Sequence, residues 1–142
     1  MATYSFSHEA PAASPGAGPR MLYITQDQYS EDWNSNLHTH GCAELFFITD
    51  GHGRFRTQSE EFPVSMRDLI IINDNVPHTE LSQPDSPLEY IVLGVEGLEA
   101  MAGTDGYTML HLHRGWDELM TCLRMMLQEA GAAQQGYEQV CG

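Results

Sequence analysis

Turns interrupt the chain so often between Met21 and Leu112 that no element there can be long, and this spacing limits the fold more than any other feature. Asp50-Gly51, Asp74-Asn75, Pro84-Asp85-Ser86-Pro87 and Asp105-Gly106 all carry turn chemistry. Between them lie short apolar or alternating runs at 21–25, 36–40, 43–49, 53–57, 68–73, 78–82, 88–95 and 107–111. Such runs predict strands, and strands at this spacing predict a sandwich, jelly roll or barrel.

The pattern changes on either side. Residues 1–20 are rich in Ala, Pro, Ser and Gly from Ala10 onward and read as a flexible arm. After Arg114 the apolar period becomes helical. Trp116, Leu119, Met120, Leu123, Leu127 and Ala130 form one stripe, with Asp117 and Glu118 in a first turn that favours negative charge. Gly131 reads as a stop. Tyr137, Val140 and Cys141 then begin a second stripe that ends with the chain, which suggests a truncated helix. The expected division is an arm (1–20), a barrel (21–113) and a helical segment for dimerisation (114–142). With 142 residues, one domain with one core is expected.

Charge excludes several functions. The chain has 20 acidic residues, six arginines and no lysine, for a net charge of −14. Lysine Schiff-base chemistry is therefore excluded. DNA binding by this chain is disfavoured, because it depends on neutralising phosphates with cations. The three cysteines, Cys42, Cys122 and Cys141, are too far apart for a zinc ribbon and read as free cytosolic thiols. No stretch approaches the roughly 20 apolar residues of a membrane span. The N-terminus lacks the basic start and apolar run of a signal peptide. A cytoplasmic protein is expected.

Chemistry concentrates at His38-Thr39-His40, followed by Glu44 and Gly51, and at Val76-Pro77-His78. Residues two apart on a strand face the same way, so His38 and His40 project together and Glu44 can join them. With His78 they could converge on a divalent cation such as Zn, Ni, Mn or Fe. Two other readings stay open: these groups line a polar pocket, or they satisfy one another inside the barrel. Phe46 and Ile48 share the parity of Glu44 and should face the interior, with Leu45 and Phe47 on the other face. Arg54 and Arg56 share a strand face. Facing inward they would bind an anionic or hydroxyl-rich ligand, and facing outward they would pair with Glu60 and Glu61. His111-Leu112-His113 lacks a matching acid or third histidine and reads as a strand end.

The string resembles the cupin family. Its first motif is matched at His38, His40, Glu44 and Gly51, with Asp32 in place of the leading glycine. Its second is matched at His78, while Arg67, Asn73, Asn75 and Ser82 stand where Gly, Pro, Gly and Asn are usual. More narrowly, Trp33, Leu37–His40 and Ala43–Ile48 look like the sensor domain of AraC-type transcription regulators. So do Arg67–Asn73, Pro77–Glu80 and Pro87–Gly94. The resemblance implies an all-β double-stranded β-helix barrel followed by C-terminal α-helices. It implies a homodimeric, non-enzymatic sensor of a small molecule, with carbohydrates the commonest class, that touches DNA only through a domain absent from this chain. The expected ligand-binding residues are His38, His40, Glu44, Phe46, Ile48, Arg54, Arg56 and His78, of which the resemblance itself supplies the four candidate metal ligands His38, His40, Glu44 and His78. The rival expectation is a stand-alone metal-dependent cupin enzyme, a dioxygenase or isomerase.

Overall fold

The structure, a computed structural model, describes residues 2–5, 18–29, 36–97, 103 and 106–141. The strands are β1 (Ala2–Ser5), β2 (Arg20–Gln28), β3 (Ala43–Asp50), β4 (His52–Thr57) and β5 (Glu61–Ser65). They continue with β6 (Asp68–Ile72), β7 (His78–Ser82), β8 (Glu89–Glu96) and β9 (Tyr107–His111), and helix α1 (Trp116–Cys141) follows. A six-stranded sheet runs β1-β2-β8-β3-β6-β9 and a three-stranded sheet runs β5-β4-β7. Every pairing is antiparallel. This is the expected double-stranded β-helix.

Strand alternation divides the apolar residues into two cores. Phe46 and Ile48 of β3, Phe55 of β4, Val64 of β5, Ile70 and Ile72 of β6, and Tyr90 and Val92 of β8 meet between the sheets. Their neighbours Ile24, Phe47, Leu69, Ile71 and Ile91 face outward and are covered by α1. Strand β6 is buried along its whole length because it contributes to both cores. The stripe expected on α1 is the one that docks: Trp116, Met120, Leu123, Leu127 and Ala130 are all buried against the sheet. Each large side chain so buried contributes about 1.5–3 kcal/mol. The domain therefore covers this stripe itself, and the stripe needs no second copy.

Four expectations are corrected. First, 36–40 is not a strand. Only His38 pairs, in a single bridge to His78. Second, β5 was not expected. It contains Pro63 and is an edge strand, where a missing N–H is tolerated. Third, one helix replaces two. Gly131 keeps a helical backbone, since it is not among the glycines with positive φ. A helical glycine costs only about 1 kcal/mol, less than the preceding docked turns contribute. Fourth, the arm contains β1, which pairs with the β2 edge from Ala2↔Gln26 to Ser5↔Tyr23. Residues 6–17, Asp32, Trp33, and the side chains of Tyr137, Val140 and Cys141 lie outside the described residues.

The departures from the second motif now have a geometry. Among the described residues, Arg67 and Asn75 are the two non-glycine residues with positive φ, at 76° and 61°. Both stand where glycine is usual, in the backbone region glycine enters without strain. Gly51 does obey the pattern. Its φ is 82°, and a Cβ there would overlap the Pro87 carbonyl. No helix among the described residues is long and apolar enough to cross a membrane.

Candidate functional site

The bridge between His38 and His78 builds the site. Each backbone N–H donates to the other's carbonyl at 3.0 Å, and the Asn75 N–H donates to the His40 carbonyl at 2.8 Å. These bonds hold the His38–His40 segment across the start of β7. The rings of His38 and His78 lie 4.7 Å apart. One ring nitrogen from each of His38, His40 and His78 falls in a group whose members lie within 4.8 Å of one another. Glu44, on β3, joins them: its Oε1 is 3.1 Å from His78 Nε2 and 3.4 Å from His40 Nε2. The Tyr23 hydroxyl donates to the other carboxylate oxygen at 2.5 Å.

That hydrogen bond needs space that only glycine leaves. On β8, Gly94 is paired with both Tyr23 of β2 and Glu44 of β3. A Cβ on Gly94 would lie 2.2 Å from the Tyr23 ring. The missing side chain lets the phenol cross β8 and reach Glu44.

The electrostatics follow from burial and these bonds. Burial alone would raise the Glu44 pKa, but hydrogen bonds from His78 and Tyr23 outweigh it and hold the carboxyl below its ordinary value. Burial alone would lower His78, but its bond to Glu44 outweighs that and raises it. His38 is pushed down by burial. Burial raises Asp27, and it raises Tyr90 well above the ordinary phenol range.

A cavity of about 290 Å³ opens beside this cluster. Among the expected residues, His38, His40, Glu44 and Phe46 line it. His78 is almost wholly buried and touches Glu44. Ile48 faces the interior as expected but is packed in the apolar core away from the cavity. Arg54 and Arg56 do not line it. Phe55 between them is fully buried, so alternation turns both arginines to solvent. There they pair with Glu61 at 2.5 and 3.4 Å, as the outward reading has it. His111 bonds to Asp68 at 2.6 Å, at the end of β9.

The sequence reading missed Tyr23, Thr25 and Asp27 on β2, Glu80 on β7, and Tyr90 and Val92 on β8, all of which line the cavity. Their alternate spacing was visible. The face they occupy depends on pairing with β3, which one strand's sequence does not reveal.

A family model described as the AraC-like ligand binding domain matches residues 23–139. The chain belongs to this family. Solved structures carry the same fold at low identity. YhaK from Escherichia coli matches at 18% identity and a TM-score of 0.62, over 80% of this chain and 52% of that one. Apo ToxT K231A from Vibrio cholerae matches at 8% and 0.57, over 77% and 47%. The bacterial pirin YhhW from Escherichia coli, in complex with nickel(II), matches at 14% and 0.57, over 78% and 50%. This AraC-like domain thus spans about half the length of each. No curated protein matches its sequence.

Proposed function

We propose that the barrel cavity takes a small, uncharged, hydroxyl-rich molecule, with a carbohydrate as the class its lining suits. Occupancy would be read by a DNA-binding domain outside this chain, within a cytoplasmic transcription regulator. The lining carries this reading. Tyr23, Thr25 and Tyr90 offer hydroxyls, while Asp27, Glu44 and Glu80 offer carboxylates to accept from ligand hydroxyls. Phe46 and Val92 supply apolar walls, the mixture a ligand pocket needs. No arginine is among the lining residues, so an anionic ligand would face carboxylates with no guanidinium to offset them. Calorimetric titration with neutral sugars and with organic acids tests this. Binding of a sugar in the cavity is expected, and binding there of acids alone would contradict it.

The residues fit a divalent metal. His38 Nδ1 lies 3.2 Å from the Asn36 carbonyl and His78 Nδ1 lies 2.8 Å from the Val76 carbonyl. A carbonyl only accepts, so each Nδ1 carries its proton and each Nε2 is left to face a cation. His38, His40, Glu44 and His78 would hold Zn, Ni, Mn or Fe. Such an ion would supply a Lewis acid for a ligand oxygen. This donor set also favours a second reading, a metal-dependent dioxygenase or isomerase. Oxygen uptake or sugar isomerisation by metal-loaded protein would support the enzyme, and the sensor reading predicts neither.

Pairing with a second copy belongs to this proposal, since symmetric dimers are the commonest oligomers. The open β9 edge exposes Met109 and Leu110, and the solvent side of α1 exposes Met125. Sedimentation velocity would detect the pair.

A further inference from the structure

A second cavity, of about 310 Å³, lies on the other side of the six-stranded sheet, where the β5–β6 turn meets the start of α1. Thr49, Arg67, Trp116, Asp117 and Arg124 are among its lining residues. Two of the chain's six arginines therefore share one small space. Arg20, Arg54 and Arg56 are paired with glutamates. Among the described residues, neither Arg67 nor Arg124 forms an ion pair, and Asp117 bonds to neither. Arg67 Nε and Thr49 Oγ1 are both buried without a hydrogen-bond partner among those residues. Buried donors are normally satisfied, and both of these belong to residues that line the cavity.

The backbone of Arg67 is an independent observation. Its N–H donates to the Ile48 carbonyl at 3.0 Å and its carbonyl accepts from the Leu112 N–H at 2.9 Å. These bonds fix a φ of 76°. Glycine would take that conformation without strain, whereas a residue with a Cβ does not. An arginine here carries a local cost, and among the described residues its side chain has no hydrogen bond or ion pair to offset it. Strain kept in this way points to a use for the side chain.

We propose that this cavity is a second binding site, for the oxyanion head group, phosphate or carboxylate, of a small molecule. Arg67 and Arg124 supply charge-assisted donors and Thr49 supplies a hydroxyl. The guanidinium positive charge outweighs the single carboxylate of Asp117. On a chain with a net charge of −14, diffuse attraction of anions is excluded, so binding has to come from this local geometry. A bound anion would join the β5–β6 turn to α1.

The test is calorimetric titration of the full chain with inorganic phosphate and with succinate, at ionic strength held constant with chloride. One saturable site is expected for at least one of these probes. Arg67→Gly and Arg124→Gln should each weaken it about tenfold or more. Without a probe, Arg67→Gly should melt no lower than wild type, and up to about 2–5 °C higher as the strain is released. Absence of saturable binding by both probes at millimolar concentration overturns the proposal. So does unchanged affinity in both variants. A melting temperature several degrees lower in Arg67→Gly also overturns it, by showing that the arginine is a structural support.

Discussion

Glu44 and His78 form a buried pair joined by a hydrogen bond. Nε2 of His78 faces the Glu44 carboxylate at 3.1 Å and Nδ1 faces the Val76 carbonyl at 2.8 Å. While Glu44 is ionised both partners accept, so below the raised pKa of His78 both ring nitrogens donate and the ring is an imidazolium. A cation bound at the cluster would replace the Nε2 proton.

The pair sets a pH dependence in metal-free protein. The Glu44 pKa is lowered from 4.5, so its contribution is present above 4.5 and lost as pH falls through the folded value. The His78 pKa is raised from 6.5, so its contribution is present below 6.5 and lost as pH rises through the folded value. The pair stabilises most between these limits. Glu44→Gln should cost about 3 kcal/mol there, in the range for breaking a buried pair, and less above neutrality. Urea unfolding from pH 4.5 to 9 with a chelator present measures the gap, and a gap that does not vary with pH would contradict the assignment.

Gly94 acts by the space it leaves. Gly94→Ala should displace the Tyr23 ring and cost about 1–3 kcal/mol, as overpacking does. Tyr23→Phe alone should cost about 1.5–3 kcal/mol for the lost bond to a charged group. In the Gly94→Ala background that second cost should nearly vanish. A double-mutant cycle by urea unfolding checks this, and additive costs would mean that Tyr23 still reaches Glu44.

Zinc or nickel added to chelator-treated protein should bind one equivalent. His40→Ala should weaken it at least tenfold, with little loss of stability because His40 is partly exposed. Affinity should also fall as pH falls, since protons compete for the imidazoles. Elemental analysis after dialysis reads both effects. Full metal content in His40→Ala would place the site elsewhere.

Much of this architecture was legible in the sequence because alternation and turns report it locally. The runs at β3, β6, β7 and β9 were read to within a residue. The stripe from Trp116 to Ala130 correctly marked the docking face of α1. The reading failed where local pattern and long-range pairing disagree. His38-Thr39-His40 alternates like a strand, yet that spacing serves to direct two imidazoles from a loop held by one bridge. Pro63 hid β5. At the site, the histidines and Glu44 were visible as a motif. Arg54 and Arg56 were equally visible, but Phe55 decided which way β4 faces. Tyr23 and Tyr90 carried no motif and were placed only by the register of β2 and β8 on β3.

The ligand reading rests on the barrel cavity, and a thermal-shift comparison of wild type with Thr25→Trp tests it most directly. Thr25 lines the cavity from β2, and an indole there should fill much of its volume of about 290 Å³. Neutral pentoses, hexoses and polyols form the panel. A sugar at about 100 times its dissociation constant adds about 2.7 kcal/mol, which should raise the wild-type melting temperature on the order of 5–15 °C. The account predicts such a shift for at least one sugar in wild type and none for that sugar in Thr25→Trp. Equal shifts in both proteins would put the ligand outside the cavity and contradict it, and a panel that leaves wild type unmoved would contradict the carbohydrate assignment.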